Sequence, residues 1–163
     1  MIDFKNSYSE LPKTFFEKVT PAEAMSPRLI KFNKQLASDL GLDFESISDE
    51  RLAQIFSGQE ILSGSDPLAM AYAGHQFGYF VPRLGDGRAI NLGKVNGQNL
   101  QLKGSGLTLY SRQGDGRAVL RSSIREYLMS EAMHGLGIAT SRALALIGSE
   151  TDVARERWEK GAI

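Results

Sequence analysis

Between Leu84 and Leu128 the sequence LGDGRAINLGKVNGQNLQLKGSGLTLYSRQGDGRAVLRSSIREYL concentrates residue types that handle phosphate: glycines, a lysine, arginines and paired charges. The pentapeptide GDGRA occurs in it twice, at Gly85 to Ala89 and at Gly114 to Ala118. Glycines at Gly85, Gly87, Gly114 and Gly116 permit positive φ and let a bulky ligand approach the backbone amides, so each loop can cradle an anion. Ordinary turn glycines are the plain alternative. Arg88, just past the first loop, adds a planar guanidinium suited to two phosphate oxygens. Asp86 and Asp115 oppose that reading unless they cap loop amides, orient the arginines, or touch the sugar or a metal-bound water; capping and arginine orientation is the role expected of them. Lys103 closes an apolar alternation and is followed by Gly104-Ser105-Gly106, so it should point into a cleft.

These groups need two elements to place them. Ile90, Leu92, Leu100 and Leu102 flank the turn signal Asn96-Gly97, which predicts a β-hairpin. A strict two-residue turn sets those four on opposite faces, because side chains alternate along a strand. A three-residue loop, Val95 to Gly97, with a bulge beside it, is therefore the expected register. It leaves Ala89, Asn91, Gly93, Gln101 and Lys103 on the polar face. After the second GDGRA, Val119, Leu120, Ile124, Tyr127, Leu128 and Ala132 recur at helical spacing, predicting a helix from near Gly116 to Gly135 or Gly137. The second loop then lies at a helix N-terminus, where free amides and the dipole favour an anion. Glu126 falls in mid-helix, where it can hold Lys103; lysine, glutamate and glycine loop together suggest the phosphate-handling small lobe of a kinase-like fold.

Elsewhere, Ser26-Pro27 followed by Leu29, Ile30, Leu36, Ala37 and Leu40 predicts a helix closed by Gly41, and Ser48 caps a second one that stops at Gly58. Asp66-Pro67 repeats the start signal before Leu68, Met70 and Tyr72, whereas Tyr79 to Val81 looks like a short strand. Beyond Gly137, Ile138, Leu144, Leu146 and Ile147 read as one or two strands. The charged stretch to Ile163 ends without a cap or polar tail, as a cut would.

The chain of 163 residues suits one domain, and its 19 cationic residues balance 19 acidic ones, so no global field draws it to nucleic acid or anionic lipid. Absent cysteines exclude disulfides and thiolate chemistry. No spanning apolar run or signal core is present, so a cytoplasmic location is expected. His75 lacks ligand-spaced partners and reads as a packing residue, His134 as a helix-end residue. Ser105 and Ser111 lack a base, which argues against a hydrolase triad. Arg117, Arg121 and Arg125 form a stripe that is read as a solvated helix face.

YAGHQFG at Tyr72 to Gly78, LGDGRA at Leu84 to Ala89, QLKGSG at Gln101 to Gly106 and YSRQGDGRAVLRSSIREYLMSEAMHGLGI at Tyr110 to Ile138 resemble the selenoprotein O (SelO) family. The resemblance covers about Pro27 to Ile163, the N-terminal part of a much longer family sequence. It implies an α+β, protein-kinase-like small lobe, an antiparallel sheet with a long packed helix plus N-terminal helices, with the large lobe absent. Residues 1–78 would form an N-terminal helical segment and 79–163 the nucleotide-binding lobe of a single domain. It also implies protein adenylyltransferase activity: ATP bound in a flipped orientation, with AMP passing to serine, threonine or tyrosine hydroxyls of protein substrates. By motif, the ATP contacts would be Gly85, Gly87, Arg88, Lys103, Asp115 and Gly116, with Glu126 supporting Lys103. The catalytic aspartate and the Mg2+ ligands would lie beyond Ile163, leaving this chain inactive alone. Leu109 replaces the family's usual proline. A non-catalytic interaction module and a γ-phosphoryl transferase remain the alternatives.

Overall fold

The computed structural model describes residues 2–163, and antiparallel strands dominate it. After two short 3-10 turns come β1 (Phe16–Lys18), β2 (Arg28–Phe32), α1 (Lys34–Asp39), α2 (Asp49–Ser57), β3 (Leu68–Met70), β4 (Gly74–Gln76) and β5 (Tyr79–Val81). The second half contains β6 (Ala89–Val95), β7 (Gln98–Lys103), β8 (Ala118–Val119), α3 (Leu120–Gly135), β9 (Ala145–Ala154) and β10 (Trp158–Ala162). The class is α+β, with the strands divided between a sheet of order β1-β3-β6-β7, a sheet of order β2-β9-β10-β8 and the separate ribbon β4-β5. Each sheet takes strands from both sides of residue 78, and residues 1–78 hold four strands beside α1 and α2, so the helical character expected there is corrected.

The core gathers around α2. Ser48 accepts the Arg51 amide at 3.3 Å, Asp49 and Glu50 occupy the first turn, and Gly58 ends the helix at φ 84°. Leu52, Ile55 and Phe56 on its buried face meet Leu36 of α1, Leu92 and Leu102 of the β6-β7 hairpin and Ile147 of β9. Burying each such side chain contributes roughly 2 kcal/mol. Phe32, Phe44 and Phe56 form an aromatic cluster with centroids 5.5 to 5.8 Å apart.

Two predicted helix starts are strands. Ser26 has φ 46°, not the extended backbone of a cap, and Arg28–Phe32 pairs with β9, so the helix begins only after Asn33, whose side chain accepts the Leu36 amide at 3.1 Å. Likewise Leu68–Met70 is drawn between β1 and β6. In both places sheet pairing overrides a local start signal.

The β6-β7 turn is also corrected. Val95 pairs with Gln98, a strict two-residue turn, with Asn96 and Gly97 at φ 45° and 81°, the left-handed pair that suits the twist of a hairpin. The extra residue that parity demands sits instead at a bulge between Asn91 and Gly93. There the N-terminal arm crosses the strand: a Cβ on Gly93 would meet the Asn6 side chain at 2.6 Å, and Lys5 bridges to Lys94. Gly93 consequently leaves the polar face and pairs with Leu100, while Ala89 pairs with Lys103 and Asn91 with Gln101 as the polar face requires.

The long helix begins later than the spacing predicts. Ala118 and Val119 pair with β10 first, so α3 starts at Leu120, and the second GDGRA loop leads into a strand and not directly into a helix N-terminus. None of its residues is buried, although one side rests on β8, β9 and β10. Glu131 anchors it: Arg142 donates from Nε and Nη2 at 2.7 Å each, and Asn33 Nδ2 donates at 2.8 Å. This fork holds the Glu131 carboxyl at about 2 against an ordinary 4.5, burial opposing and Asn33 and the Ala143 amide assisting. A depressed carboxylate stabilises the fold fully above its unfolded value and loses that contribution as pH falls through the folded one. Thermal melts from pH 7 to pH 2 should therefore show a decline below about 4.5 that Glu131→Gln flattens, and Arg142→Ala should cost about 2 kcal/mol at pH 7.

Candidate functional site

The polar face of β6-β7 looks into a cavity of about 720 Å3 that both GDGRA loops border. That volume lies within the roughly 300–1,000 Å3 usual for small-molecule sites. Lys103 reaches it from the end of β7 and forms an ion pair with Glu126 of α3, each side chain about half exposed. The structure thus brings together all the predicted residues, Gly85, Gly87, Arg88, Lys103, Asp115 and Gly116 around the cavity and Glu126 behind the lysine.

Charge is distributed unevenly. Arg88, Lys103, Arg112, Arg117 and Arg155 line the cavity against only Asp86 and Asp115, five cations to two carboxylates. In a chain of zero net charge this is a local positive field suited to a polyanion.

The first loop is built into the sheet β1-β3-β6-β7. Asp86, 5% exposed, accepts the Met70 amide and the Tyr72 hydroxyl at 3.0 Å each, while Thr108 and Ser111 hydroxyls donate to the carbonyls of Asp86 and Gly87 at 2.7 and 2.6 Å. The Gly85 and Asp86 amides donate to Tyr72 and Met70 carbonyls, and the Gly87 amide turns back to Gly85. What this loop offers an anion most freely is the Arg88 side chain, whose one hydrogen bond among the described residues is a 3.5 Å approach to the Arg117 carbonyl. Burial is the main cause that raises the Asp86 carboxyl, partly offset by the Met70 amide and Tyr72 hydroxyl. Burial, then the Asp86 charge, pushes the Tyr72 phenol up to about 12. Asp86 therefore caps a strand amide and touches no arginine, which corrects half of its expected role. Gly85, at φ 57°, has its own packing reason, since a Cβ would fall 2.3 Å from the Tyr110 ring.

The second loop is held differently. Asp115 accepts the Arg117 amide at 2.9 Å and a two-pronged bond from Arg155 at 2.6 and 3.1 Å, which together hold its carboxyl below the usual range, Arg155 first. Here the expected cap and arginine partner are both present. Arg112 Nη2 donates to Gln76 Oε1 at 2.7 Å and ties this loop to the β4-β5 ribbon. Spacing assigns no role to Arg112, which lies within the Tyr110 to Ile138 motif, or to Arg155, which is 40 residues from its partner.

Of the remaining candidates, Arg117 and Ser111 line the cavity and the others lie away from it. His75 packs on Phe80 with ring centroids 5.4 Å apart. Arg121 engages Glu159 at 2.9 Å, and Arg117 precedes the helix, so the arginine stripe is broken. Ser105 is buried and Ser111 holds the Gly87 carbonyl. Among the described residues no group of three or more His, Cys, Asp or Glu is placed to hold a metal, and no helix is long and apolar enough to cross a membrane.

Both loops thus border one cationic cavity, with a strand lysine held by a helix glutamate. The family model for protein adenylyltransferase SelO matches residues 1–163, and the chain belongs to that family. It is 52% identical over 167 residues to the protein nucleotidyltransferase YdiU of Methylorubrum extorquens strain PA1, covering 100% of this chain and 34% of that protein. Its identity is 56% to the proteins of the same description from Rhizobium rhizogenes strain K84, covering 99% of this chain and 33% of that one, and from Agrobacterium fabrum strain C58, covering 100% and 34%. The chain thus spans about a third of the length of these relatives.

The glycines of the second loop differ in what they tolerate. Gly116 has φ 69° and an added Cβ would lie 2.1 Å from the Gly106 carbonyl oxygen, whereas Gly114 meets only the Ser111 carbonyl at 3.0 Å. Gly116→Ala should lose at least about 2 kcal/mol of stability. Gly114→Ala should lose clearly less, as chemical denaturation of the two variants will show.

Proposed function

We propose that this chain is the ATP-binding part of a protein adenylyltransferase, with the triphosphate lying between the two GDGRA loops. The observation that carries the reading is the five-cation cavity into which Lys103 projects while Glu126 restrains it. A lysine on a strand, a glutamate on the long helix and a glycine loop above them match the positioning logic of kinase-like small lobes. Arg88, with its guanidinium almost unengaged, is placed to take phosphate oxygens through two parallel bonds. Gly85, Gly87, Asp115 and Gly116 shape the walls against which the phosphates lie.

In the proposed reaction a serine, threonine or tyrosine hydroxyl of a protein substrate attacks the α-phosphorus. The bond to the bridging oxygen of pyrophosphate breaks, AMP is left esterified to the protein, and the hydroxyl proton passes to a base. A flipped nucleotide puts the outer phosphates deepest, where Lys103 and the arginines stabilise the departing pyrophosphate; positioning and charge stabilisation supply most of the acceleration. The acid-base residue and the ligands for Mg2+, an ion that neutralises phosphate charge when bound, are assigned to the part of the longer relatives beyond this chain. The chain by itself should then transfer no AMP, and α-labelled product formed by it alone would overturn that assignment. In a full-length relative, label at the α-phosphate of ATP should mark the target protein and label at the γ-phosphate should not; the reverse pattern would establish phosphorylation.

A second reading, an interaction module, draws on one specific feature: α3 leaves Ile124, Leu128 and Met129 exposed and has no fully buried residue. Calorimetry separates the two. Lys103→Ala should abolish ATP binding and leave the melting temperature nearly unchanged, because a half-exposed ion pair adds little stability. Concentration-dependent association with no heat from ATP would favour the interaction module.

A further inference from the structure

We infer that Arg155 is a positioning residue for nucleotide recognition, a clamp from the β9-β10 turn that sets the shape of the second GDGRA loop through Asp115. The inference rests on the nucleotide reading of the cavity and adds to it a residue that no motif marks.

The bond geometry carries the argument. Arg155 Nη1 donates to Asp115 Oδ2 at 2.6 Å and to the Ala154 carbonyl at 2.6 Å, and Nη2 donates to Asp115 Oδ1 and to the Arg117 carbonyl, both at 3.1 Å. All four hydrogens on the two terminal nitrogens are accounted for, leaving only Nε–H of the five donors. A guanidinium so engaged is a brace for the loop, unlike that of Arg88, whose only hydrogen bond among the described residues is at 3.5 Å. Asp115 is equally committed: one oxygen takes Nη1, the other takes Nη2 and the Arg117 amide at 2.9 Å. Its carboxylate is therefore directed at protein donors, and its repulsion of a phosphate is screened by the cation bound to it.

The segment between these bonds has little freedom left. Arg117 is fixed at its amide by Asp115 and at its carbonyl by Arg155, and Gly116 between them is held at φ 69° with its carbonyl accepting the Gly106 amide at 3.1 Å. The Arg155 amide in turn donates to the Arg157 carbonyl at 3.0 Å across the β9-β10 turn. The second loop is thus referenced to the sheet β2-β9-β10-β8, while the first is referenced through Met70 and Tyr72 to the other sheet. Removing the Arg155 fork frees Asp115 as an uncompensated negative charge on the cavity wall and loosens the loop at once. Lysine cannot replace the two-pronged geometry, so it should rescue charge without rescuing the loop.

The test uses the 163-residue chain with ATP as the probe, in calorimetry, and amide hydrogen exchange without nucleotide. Arg155→Met should weaken ATP binding by roughly tenfold to a hundredfold, as misplacement of a binding group does, and Arg155→Lys should recover only part of it. Arg155→Met and Asp115→Asn combined should weaken binding no more than the worse single change, because both break one clamp. Without nucleotide, the Arg117 amide should exchange faster in Arg155→Met and in Asp115→Asn, while β6 and β7 amides keep their protection. ATP affinity within twofold of wild type with unchanged Arg117 exchange overturns the inference, as does a double change whose effects simply multiply. Should wild type take up no ATP, the nucleotide reading fails separately, and unchanged Arg117 exchange would then remove the clamp as well. If Arg155→Met does not fold, Asp115→Asn and Arg155→Lys give the same two readouts.

Discussion

Strand parity decides where Lys103 points, and the rest of the site depends on it. With a two-residue turn at Asn96-Gly97, the hairpin stays in register with both the core and the cavity only because one residue is absorbed at the bulge between Asn91 and Gly93. Ile90 and Leu102 then face inward together, while Ala89, Gln101 and Lys103 line the cavity. Without the bulge, one end of the hairpin would present its apolar set to solvent or carry the lysine into the core. The N-terminal arm is part of this device, since Asn6 and Phe4 occupy the space that a side chain at Gly93 would need.

Identical pentapeptides end up in unlike sockets. Around Gly85 the aspartate is buried and hydrogen-bonded by donors from β3 and its continuation at Tyr72, so that loop is tied to the sheet. Around Gly116 the aspartate is half exposed and neutralised by a guanidinium, so that loop is a surface feature held by ion pairing. In both loops the carboxylate has hydrogen-bond partners and does not face the cavity alone. The difference in sockets gives the loops different sensitivities, the first to packing and the second to charge.

Legibility in the sequence followed the range of the interactions. Ser48 and Gly58 mark α2 correctly because a cap is satisfied within one turn, and Tyr79–Val81 was legible from its aromatic and branched residues. Ser26-Pro27 and Asp66-Pro67 misled because the partners that make strands of their followers, β9 and β6, lie far along the chain. Parity showed that the hairpin needed one more residue, but its location depended on Asn6 and Phe4, which no local pattern connects to Gly93. Lys103 and Glu126 were legible as a pair, whereas Arg155 was not, because only the β9-β10 turn brings it to Asp115.

The proposed function rests on one claim, that a triphosphate occupies the space between the loops. A crystal structure of this chain soaked with a nonhydrolysable ATP analogue tests it most directly. The account predicts phosphate oxygens within hydrogen-bonding reach of Lys103 Nζ and the Arg88 guanidinium, with the Lys103–Glu126 pair retained. An analogue bound elsewhere, or electron density for none at saturating concentration, would contradict it.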